Sequence, residues 1–297
     1  MIVPLDKRPR SGPYSGLNVN SAKRFLMTQF REAGLDRPDI DARLLVMAAT
    51  GFSHSDMIAR GTEFPPANVF DVIAGYAERR LSGEPVDSIL GYREFYGRAF
   101  NISKDVLSPR PETEMLVDAA LEILSPQSCP RILDLGTGSG AIIISIVSEL
   151  LAAEAMAVDI SEQALMTAQQ NAQAHDVTSR LDFRCGSWFE PVTGRFDLII
   201  SNPPYITAEA MRSLSPEVKN FDPHLALSGG PDGLEAYRNI IKGIPNHLVA
   251  GGHIVFEIGY DQGVSVSALL SAAGLHEVST HKDLAGHDRM VKAVWQG

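Results

Sequence analysis

The residues best suited to chemistry form the run Asn202-Pro203-Pro204-Tyr205, here named the tip, which directly follows an apolar segment over 196–200. That segment predicts a buried strand, and two prolines must end it because neither can donate a hydrogen bond to a sheet. The Asn202 side-chain oxygen and the Pro203 carbonyl can accept both N–H bonds of a planar NH2 group, on which the Tyr205 ring can stack. Accepting both bonds orients and enriches the nitrogen lone pair, which is catalysis by positioning and electrostatics. The simpler alternative is a Pro-Pro turn that only closes the strand.

A glycine-rich loop, residues 136–140, is the second candidate and is named the glycine loop. It has the sequence Gly136-Thr137-Gly138-Ser139-Gly140, between a predicted buried strand over 131–135 and an apolar helix over 141–151. Its spacing is not the Gly-x-Gly-x-x-Gly that cradles pyrophosphate in dinucleotide folds. Asp134, two residues before the loop, would repel phosphate but could hold a cationic or hydroxyl-bearing ligand.

Two residues farther along could complete a nucleoside site. The next predicted strand, over 155–158, ends in Asp159, and an acid at that position is where paired hydrogen bonds to a ribose diol are expected. Ser161 then caps a predicted helix that runs to about residue 174. A third strand, predicted over 181–184, leads to Trp188, whose ring could flank an adenine or belong to the core.

The remaining elements complete an α/β pattern. A long irregular stretch over 206–233 is typical of a functional lid. After it the sequence predicts a helix over 234–248, a strand over 252–258, a helix over 264–273 and two strands over 276–281 and 289–295. Before the glycine loop, the rigid stretch over 109–114 either lines the cofactor cleft or merely starts a helix over 113–124.

Composition excludes some classes of protein. The 297 residues are 44% hydrophobic, and no apolar run approaches the roughly 20 residues that span a bilayer. Residues 1–16 have no apolar segment typical of a secretory signal. Cys129 and Cys185 are far apart in sequence, and His253, His281 and His287 have no partners at metal-ligand spacing. These features predict a cytoplasmic protein without a metal.

Charge is unevenly distributed along the chain. Residues 1–85 carry a net charge of +1, whereas residues 86–297, which contain the tip and the glycine loop, carry −11. An enzyme that acts on nucleic acid usually has a basic surface near its site. The acidic balance therefore disfavours a DNA or RNA substrate.

The sequence predicts four regions. Residues 1–17 are expected to be a flexible tail, 18–85 a small helical domain, 86–108 a β-hairpin linker and 109–297 a nucleotide-type α/β domain. The helical domain rests on apolar patterns over 21–33 and 39–50, each followed by a glycine. Such a domain either packs on its neighbour or mediates dimers, or it grips a macromolecular substrate.

Together, these motifs resemble the class I S-adenosylmethionine-dependent methyltransferases that act on amide or exocyclic nitrogen. Over residues 20–297 the chain most resembles the peptide-chain release factor glutamine methyltransferases (HemK/PrmC). The shared blocks, besides the tip, are Gly83-Glu84-Pro85, Leu90-Gly91-Tyr92-Arg93-Glu94-Phe95, Pro109-Arg110-Pro111-Glu112-Thr113-Glu114, Asp134-Leu135 with the glycine loop, and Ala226-Leu227 leading to Gly229-Gly230-Pro231-Asp232-Gly233-Leu234. The tip alone also occurs in DNA adenine methyltransferases.

The resemblance implies a seven-stranded Rossmann-like domain behind the helical one, and methylation at N5 of the glutamine in the Gly-Gly-Gln loop of class I release factors. S-adenosylmethionine would be the cofactor and S-adenosylhomocysteine the product. Asp134 and the glycine loop would contact its methionine part, Asp159 its ribose and Trp188 its adenine, and Asn202 would lie beside it; residues 202–205 would hold the glutamine amide. The family usually has Asp where Ser187 stands and Glu where Asp222 stands.

Three hypotheses remain open from the sequence. The first is the release factor glutamine methyltransferase. The second keeps the tip but changes the substrate to a glutamine of a ribosomal protein or to adenine N6 of nucleic acid. The third is a cofactor-binding module without activity, for which the helical domain would serve as an adaptor.

Overall fold

The structure, a computed structural model, describes residues 12–297. The chain divides into two compact units, one ending at Leu90 and the other running from Gly91 to Gly297.

The first unit is helical. Apolar residues at helical spacing bury one face of each main helix around Leu26, Phe30, Leu45 and Ile73, all of which are fully buried. Asn18 caps the first helix by accepting a hydrogen bond from the Ser21 amide. The helices are α1 (Val19–Glu32), α2 (Pro38–Thr50), α3 (His54–Ala59), α4 (Ala67–Leu81) and α5 (Val86–Leu90).

The predicted flexible tail over 1–17 needs a correction at its end. Residues 1–11 lie outside the described residues. Gly12–Tyr14 forms a turn of 3-10 helix, and Tyr14 is buried in the helical core with its hydroxyl bonded to Gln29. Burial of the Tyr14 ring, together with backbone hydrogen bonds from Ser15 to Gly12 and from Leu17 to Tyr14, orders this part of the segment.

The second unit contains a small hairpin and a large sheet with helices on both faces. Its strands are β1 (Tyr92–Phe95), β2 (Arg98–Asn101), β3 (Arg131–Leu135), β4 (Glu154–Asp159), β5 (Leu181–Cys185), β6 (Phe196–Ser201), β7 (Leu248–Glu257), β8 (His276–Lys282) and β9 (Asp288–Val294). Its helices are α6 (Glu114–Leu124), α7 (Ala141–Glu149), α8 (Glu162–Ala174), α9 (Pro216–Phe221), α10 (His224–Leu227), α11 (Glu235–His247) and α12 (Gly263–Ala272).

The large sheet has seven strands in the order β5-β4-β3-β6-β7-β9-β8. The first five are parallel, and β9 is antiparallel to both of its neighbours. The strand order reverses between β3 and β6, and in open α/β sheets ligands bind outside the carboxyl ends of the strands at that point. The predicted α/β Rossmann-like architecture with seven strands is confirmed.

Both faces of the sheet are covered, as the apolar strands predict. Ile132, Leu198 and Ile200 belong to one core cluster with α6 and α7, whereas Leu133 and Ile199 belong to a second cluster with α11 and α12. Successive residues of a strand point to opposite faces, so each central strand contributes to both clusters. The sheet is therefore a rigid base for the segments at its carboxyl edge.

The segment predicted as a hairpin linker over 86–108 is divided between the two units. Residues 86–90 form α5, whose Val86 and Ile89 are buried in the helical core. The hairpin β1-β2 belongs to the second unit, because Phe95 and Phe100 are buried in its core. Because the apolar residues of this segment are buried in one unit or the other, no separate linker remains. The boundary between the two units lies between residues 90 and 91.

The predicted lid over 206–233 is more ordered than the sequence indicates. It contains a 3-10 turn at Ala210–Ser213 and the short helices α9 and α10. Three prolines interrupt it and keep each helix short. Across the described residues, 12–297, no helix is long and apolar enough to cross a membrane.

Candidate active site

A cavity of about 500 Å³ lies at the carboxyl edge of the sheet, within the second unit. Its size is in the range of small-molecule and cofactor sites. Its walls come from segments that are far apart in sequence: 105–110 with Thr113 (named the wall loop), 136–139, 158–161, 186–188, the tip and the lid. Glu235, Ala236 and Asn239 of α11 complete the wall.

The glycine loop is fastened to the neighbouring strand. The amides of Gly136 and Thr137 both donate to the Val158 carbonyl, at 2.8 and 3.0 Å. Gly140 has a φ of 78°, and a Cβ on it would lie 2.7 Å from the Ile144 side chain and 3.2 Å from the Ala168 Cβ. Glycine is therefore required for the turn into α7 and for its close packing on α8.

Asp134 is fully buried at the end of β3, beneath the loop. The Thr137 hydroxyl donates to its Oδ2 at 2.7 Å, whereas Oδ1 has no hydrogen-bond partner. Burial, with a smaller contribution from nearby Asp159, raises the pKa of Asp134 to about 7. A buried acceptor without a partner is costly, so this oxygen is available to a ligand that brings a donor or a positive charge.

Asp159 closes the other side of the loop. Its Oδ2 accepts the Gly138 amide and its Oδ1 the Ser161 amide, each at 2.9 Å. Burial raises its pKa, although these backbone hydrogen bonds partly oppose the shift. Each carboxylate oxygen can accept a further bond, so the side chain can still receive two hydroxyl donors from the cavity it borders.

Trp188 borders the cavity and also packs on the core cluster of the α11 side, so both roles considered for it are compatible. Its φ of 47° is in the left-handed region, which bulky residues rarely adopt. Such a conformation costs on the order of 1 kcal/mol and is frequent at ligand sites. Ser187, beside it, also lines the cavity, and its amide donates to Glu190 at 3.1 Å.

The tip begins where β6 ends. The Ser201 hydroxyl donates to the Leu135 carbonyl at 2.6 Å, which ties the end of β6 to the end of β3. Among residues 12–297, the cavity wall includes Asn202 and Pro204 but neither Pro203 nor Tyr205. Pro203 is buried, and the Tyr205 hydroxyl is hydrogen-bonded to Arg289. Burial raises the pKa of Tyr205, which keeps the phenol neutral.

The lid returns to pair with the tip. The Ile206 amide donates to the Leu227 carbonyl at 3.0 Å, and the Gly229 amide donates to the Ile206 carbonyl at 2.9 Å. A Cβ on Gly229 would lie 2.8 Å from the Pro204 carbonyl oxygen, so only glycine permits this approach. Arg110 and Asp222 form an ion pair at 3.7 Å between the wall loop and the lid.

Three polar residues of this site are absent from the sequence-based candidates. Glu257, at the end of β7, is buried, and its Oε2 accepts a 2.5 Å hydrogen bond from Thr113. Gln262 donates from Nε2 to the carbonyls of Tyr205 and Gly233, both at 3.1 Å. Glu257 had a usable signal, since it is an acid at the end of an apolar strand, as are Asp134 and Asp159. Thr113 lies in the stretch over 109–114, for which a place in the cofactor cleft was one of two interpretations, whereas Gln262 had no signal.

The structure brings most of the predicted site residues into one cavity. The residues that border it are Gly136, Thr137, Gly138, Ser139, Asp159, Trp188 and Asn202. Asp134 lies beneath the loop, and Gly140 ends the loop at the start of α7. The stretch over 109–114, for which two interpretations were open, contributes Pro109, Arg110 and Thr113 to the wall and also starts α6. Within the described residues, no group of three or more His, Cys, Asp or Glu side chains could hold a metal ion.

Comparison with known proteins agrees with this geometry. Residues 113–217 match the methyltransferase small domain family, and residues 22–91 match the PrmC N-terminal domain family. A release factor glutamine methyltransferase of Agrobacterium fabrum is 43% identical over 89% of this chain and 92% of its own length. One from Cereibacter sphaeroides is 43% identical over 93% and 98%, respectively.

A solved structure supports the fold alone. The catalytic domain of hMettl16, solved in complex with the MAT2A 3′UTR hairpin 6, is 13% identical, with a TM-score of 0.56 over 88% of this chain and 83% of that one. The seven-stranded sheet with its glycine loop, strand-end acids and tip defines the protein as a methyltransferase enzyme. Within that class, the chain belongs to the family of release factor glutamine methyltransferases.

Proposed function

We propose that this protein transfers a methyl group from S-adenosylmethionine to the side-chain amide nitrogen (N5) of the glutamine in the Gly-Gly-Gln loop of class I peptide chain release factors. The observation that carries the proposal is that Asn202 and Pro204 of the tip border the same cavity as the glycine loop and Asp159. A donor held at the loop and an acceptor held at the tip would meet without a barrier between them. The 43% identical relatives bear the corresponding name.

At the acceptor end, Asn202 Oδ1 and the Pro203 carbonyl would each accept one N–H of the glutamine amide. An amide nitrogen is a weak nucleophile because its lone pair is delocalised, and two accepted hydrogen bonds return electron density to it. They also fix the direction of the lone pair. The ring of Tyr205 would stack on the plane of the amide.

At the donor end, the residues fit the chemical groups of S-adenosylmethionine. The unpartnered Oδ1 of Asp134 would attract the cationic amino group, and Asp159 would receive the ribose hydroxyls. Trp188 and the exposed side chain of Ile160 would enclose the adenine. When bound, this cofactor supplies a methyl group on a sulfonium centre, and S-adenosylhomocysteine is the product.

The transfer itself breaks one carbon–sulfur bond and forms one carbon–nitrogen bond, with the loss of one proton from the nitrogen. The protein must hold the sulfonium sulfur, the methyl carbon and the amide nitrogen in a line, because the methyl group moves from the sulfur on one side to the nitrogen on the other. The rigid tip and the fastened loop provide this alignment. Metal ions have no part in the proposal.

The substrate is a macromolecule in this proposal, and the first unit would help to grip it. That unit matches the PrmC N-terminal domain family over residues 22–91. Methylation of a translation factor places the protein in the cytoplasm. The net charge of −11 over residues 86–297 disfavours nucleic acid as the acceptor.

Mass spectrometry tests the proposal directly. A purified class I release factor is incubated with the protein and S-adenosylmethionine, beside the same factor with Gln→Ala in its Gly-Gly-Gln loop. We expect a gain of one methyl group on the unaltered factor only. A gain on neither factor, with cofactor binding demonstrated by calorimetry, would contradict the proposal and lead to ribosomal proteins and then nucleic acid as acceptors.

A further inference from the structure

Glu257 occupies a position where a carboxylate is costly. It is 1% exposed and lies at the carboxyl end of β7. Ser201 and Phe256 are paired between β6 and β7, so the next residues on the two strands are Asn202 and Glu257. Removing a carboxylate from water costs several kcal/mol unless partners compensate, and an apolar residue would fill the space at lower cost.

The partners of Glu257 connect it to the cavity wall. Thr113 is 3% exposed, borders the cavity and donates its hydroxyl to Glu257 Oε2 at 2.5 Å. These two residues are 144 positions apart in sequence. Their hydrogen bond therefore fixes the end of the wall loop against the strand that runs beside the tip.

Charged groups near Glu257 also act on Tyr205. Arg289 on β9 forms an ion pair with Asp283 at 3.4 Å, and its positive charge lowers the pKa values of Glu257 and Tyr205. The Tyr237 hydroxyl donates to the backbone carbonyl of Glu257 at 2.9 Å. The Tyr205 backbone is held separately, since its carbonyl accepts from Gln262. Glu257 is thus bonded directly to the wall loop, and its charge acts on Tyr205.

We propose that Glu257 is a positioning residue for methyl transfer: its carboxylate holds Thr113 of the wall beside the strand that leads to the tip, and so sets where the acceptor nitrogen lies. Glu257 itself does not border the cavity within the described residues. The inference rests on the proposed function, and it adds a residue that acts through its neighbours.

The charge state of Glu257 gives this role a measurable signature. Burial raises the pKa of Glu257 to about 7, and the nearby charge of Glu112 raises it further. The hydrogen bond from Thr113 and the positive charges of Arg289 and Arg110 lower it. The phenol groups of Tyr205 and Tyr237 also interact with the carboxylate. The hydrogen bond from Thr113 is stronger to an ionised acceptor than to a neutral one. The hold on Thr113 is therefore strongest above about pH 7 and weakens as the pH falls through the pKa.

The test compares Glu257→Gln with the parental protein in the release factor assay at saturating S-adenosylmethionine. Glutamine keeps the shape and an acceptor for Thr113 but removes the charge. We expect kcat at pH 8 to fall by roughly tenfold to a hundredfold, with the KM for S-adenosylmethionine unchanged. We also expect the fall of parental kcat below about pH 7 to be absent from the variant. Glu122→Gln, on the exposed side of α6, is the matched control and should leave both quantities unchanged.

Variants of Thr113 provide a second, independent test in the same assay. Thr113→Ser keeps the hydroxyl and should retain most activity, whereas Thr113→Val keeps the shape without the hydroxyl and should lower kcat. Because Thr113 and Glu257 act as a unit, the double variant Thr113→Val/Glu257→Gln should be no slower than the slower single variant. If the double variant were slower than either single variant, with the two losses in kcat multiplied, the inference would be overturned.

Two further results would overturn it. One is a Glu257→Gln variant with parental kcat and a parental pH profile. The other is a loss of kcat explained entirely by a melting temperature that falls to the assay temperature, which would make the role only structural. These results differ from a failure of the proposed function, in which the parental protein itself adds no methyl group to the release factor.

Discussion

The glycine loop and the tip each lie beside a buried carboxylate that accepts a hydrogen bond from a threonine, and the two carboxylates are held differently. Asp134 accepts from Thr137, three residues away, and leaves Oδ1 without a partner. Glu257 accepts from Thr113, 144 residues away, and faces two arginines. Burial raises both pKa values to about 7. The difference indicates that the carboxylate beneath the glycine loop belongs to a local motif, whereas the carboxylate beside the tip is held by contacts that the fold assembles.

The largest effect is expected from a change of Asn202 at the acceptor end, where kcat should fall while cofactor affinity is kept. Asn202→Ala removes one acceptor of the glutamine amide, and kcat should fall by roughly a hundredfold to a thousandfold, as for the loss of one oriented polar group in other active sites. The affinity for S-adenosylmethionine should change by less than about threefold. Steady-state kinetics and calorimetry measure the two quantities. Asn246→Ala, on an exposed position of α11, is the control. Unchanged turnover in Asn202→Ala would remove the role assigned to the tip.

Asp134 should show the opposite pattern. Asp134→Asn keeps the shape but removes the charge that the cofactor's amino group would meet, and a hydrogen bond to a charged group contributes about 1.5–3 kcal/mol. The dissociation constant for S-adenosylmethionine should therefore rise by about tenfold to a hundredfold, with a smaller effect on kcat at saturation. Asp182→Asn, at an exposed ion pair on β5, should bind as the parental protein does. If Asp134→Asn lowered kcat but kept the affinity for S-adenosylmethionine, the assignment of Asp134 to the donor end would be wrong.

The same contrast explains how much the sequence could predict. The glycine loop, Asp134 and Asp159 lie at strand ends within one βαβ segment, so spacing alone placed them together. The tip was predictable because prolines end a strand. The stretch that contains Thr113 was a candidate wall of the cleft, but its bond to Glu257 and the role of Gln262 were not predictable, since they depend on contacts with residues 144 and 57 positions away. Burial of Tyr14 and the division of the hairpin segment likewise follow from tertiary packing, which no local pattern encodes.

The protein should become less stable at the pH values where cofactor binding becomes stronger, because the ionised form of Asp134 favours binding and disfavours folding. The folded-state pKa of Asp134 is raised from 3.8 to about 7, so its contribution to the free energy of unfolding is fully present below about pH 4 and is lost as the pH rises through 7. Asp134→Asn removes this dependence. The variant should be more stable than the parental protein at pH 8, by on the order of 2 kcal/mol, with the difference shrinking towards pH 4. Urea unfolding at pH 5 and pH 8 measures it, and a constant difference across that range would contradict the assignment.

Close packing of the lid on the tip gives a smaller effect. In Gly229→Ala the new Cβ would lie 2.8 Å from both the Pro204 carbonyl oxygen and the Tyr205 Cα, which are backbone atoms and cannot rotate away. Overpacking of this kind costs about 1–3 kcal/mol. The free energy of unfolding should fall by that amount, and kcat should fall with it because the tip must shift. Full activity with reduced stability would show that the tip tolerates displacement.

Gly75 in α4 provides the reverse case and the smallest expected effect. No atom lies within 4 Å of a Cβ built on this residue, and its φ is not in the left-handed region. Gly75→Ala should therefore stabilise the helical unit by roughly 0.5–1 kcal/mol, because alanine loses less backbone entropy on folding. Denaturant unfolding of the whole chain measures the gain, while release factor methylation at the second unit should be unchanged. A destabilised variant would mean that α4 uses the bare face of Gly75 for a contact, and a loss of methylation would assign that contact to the substrate.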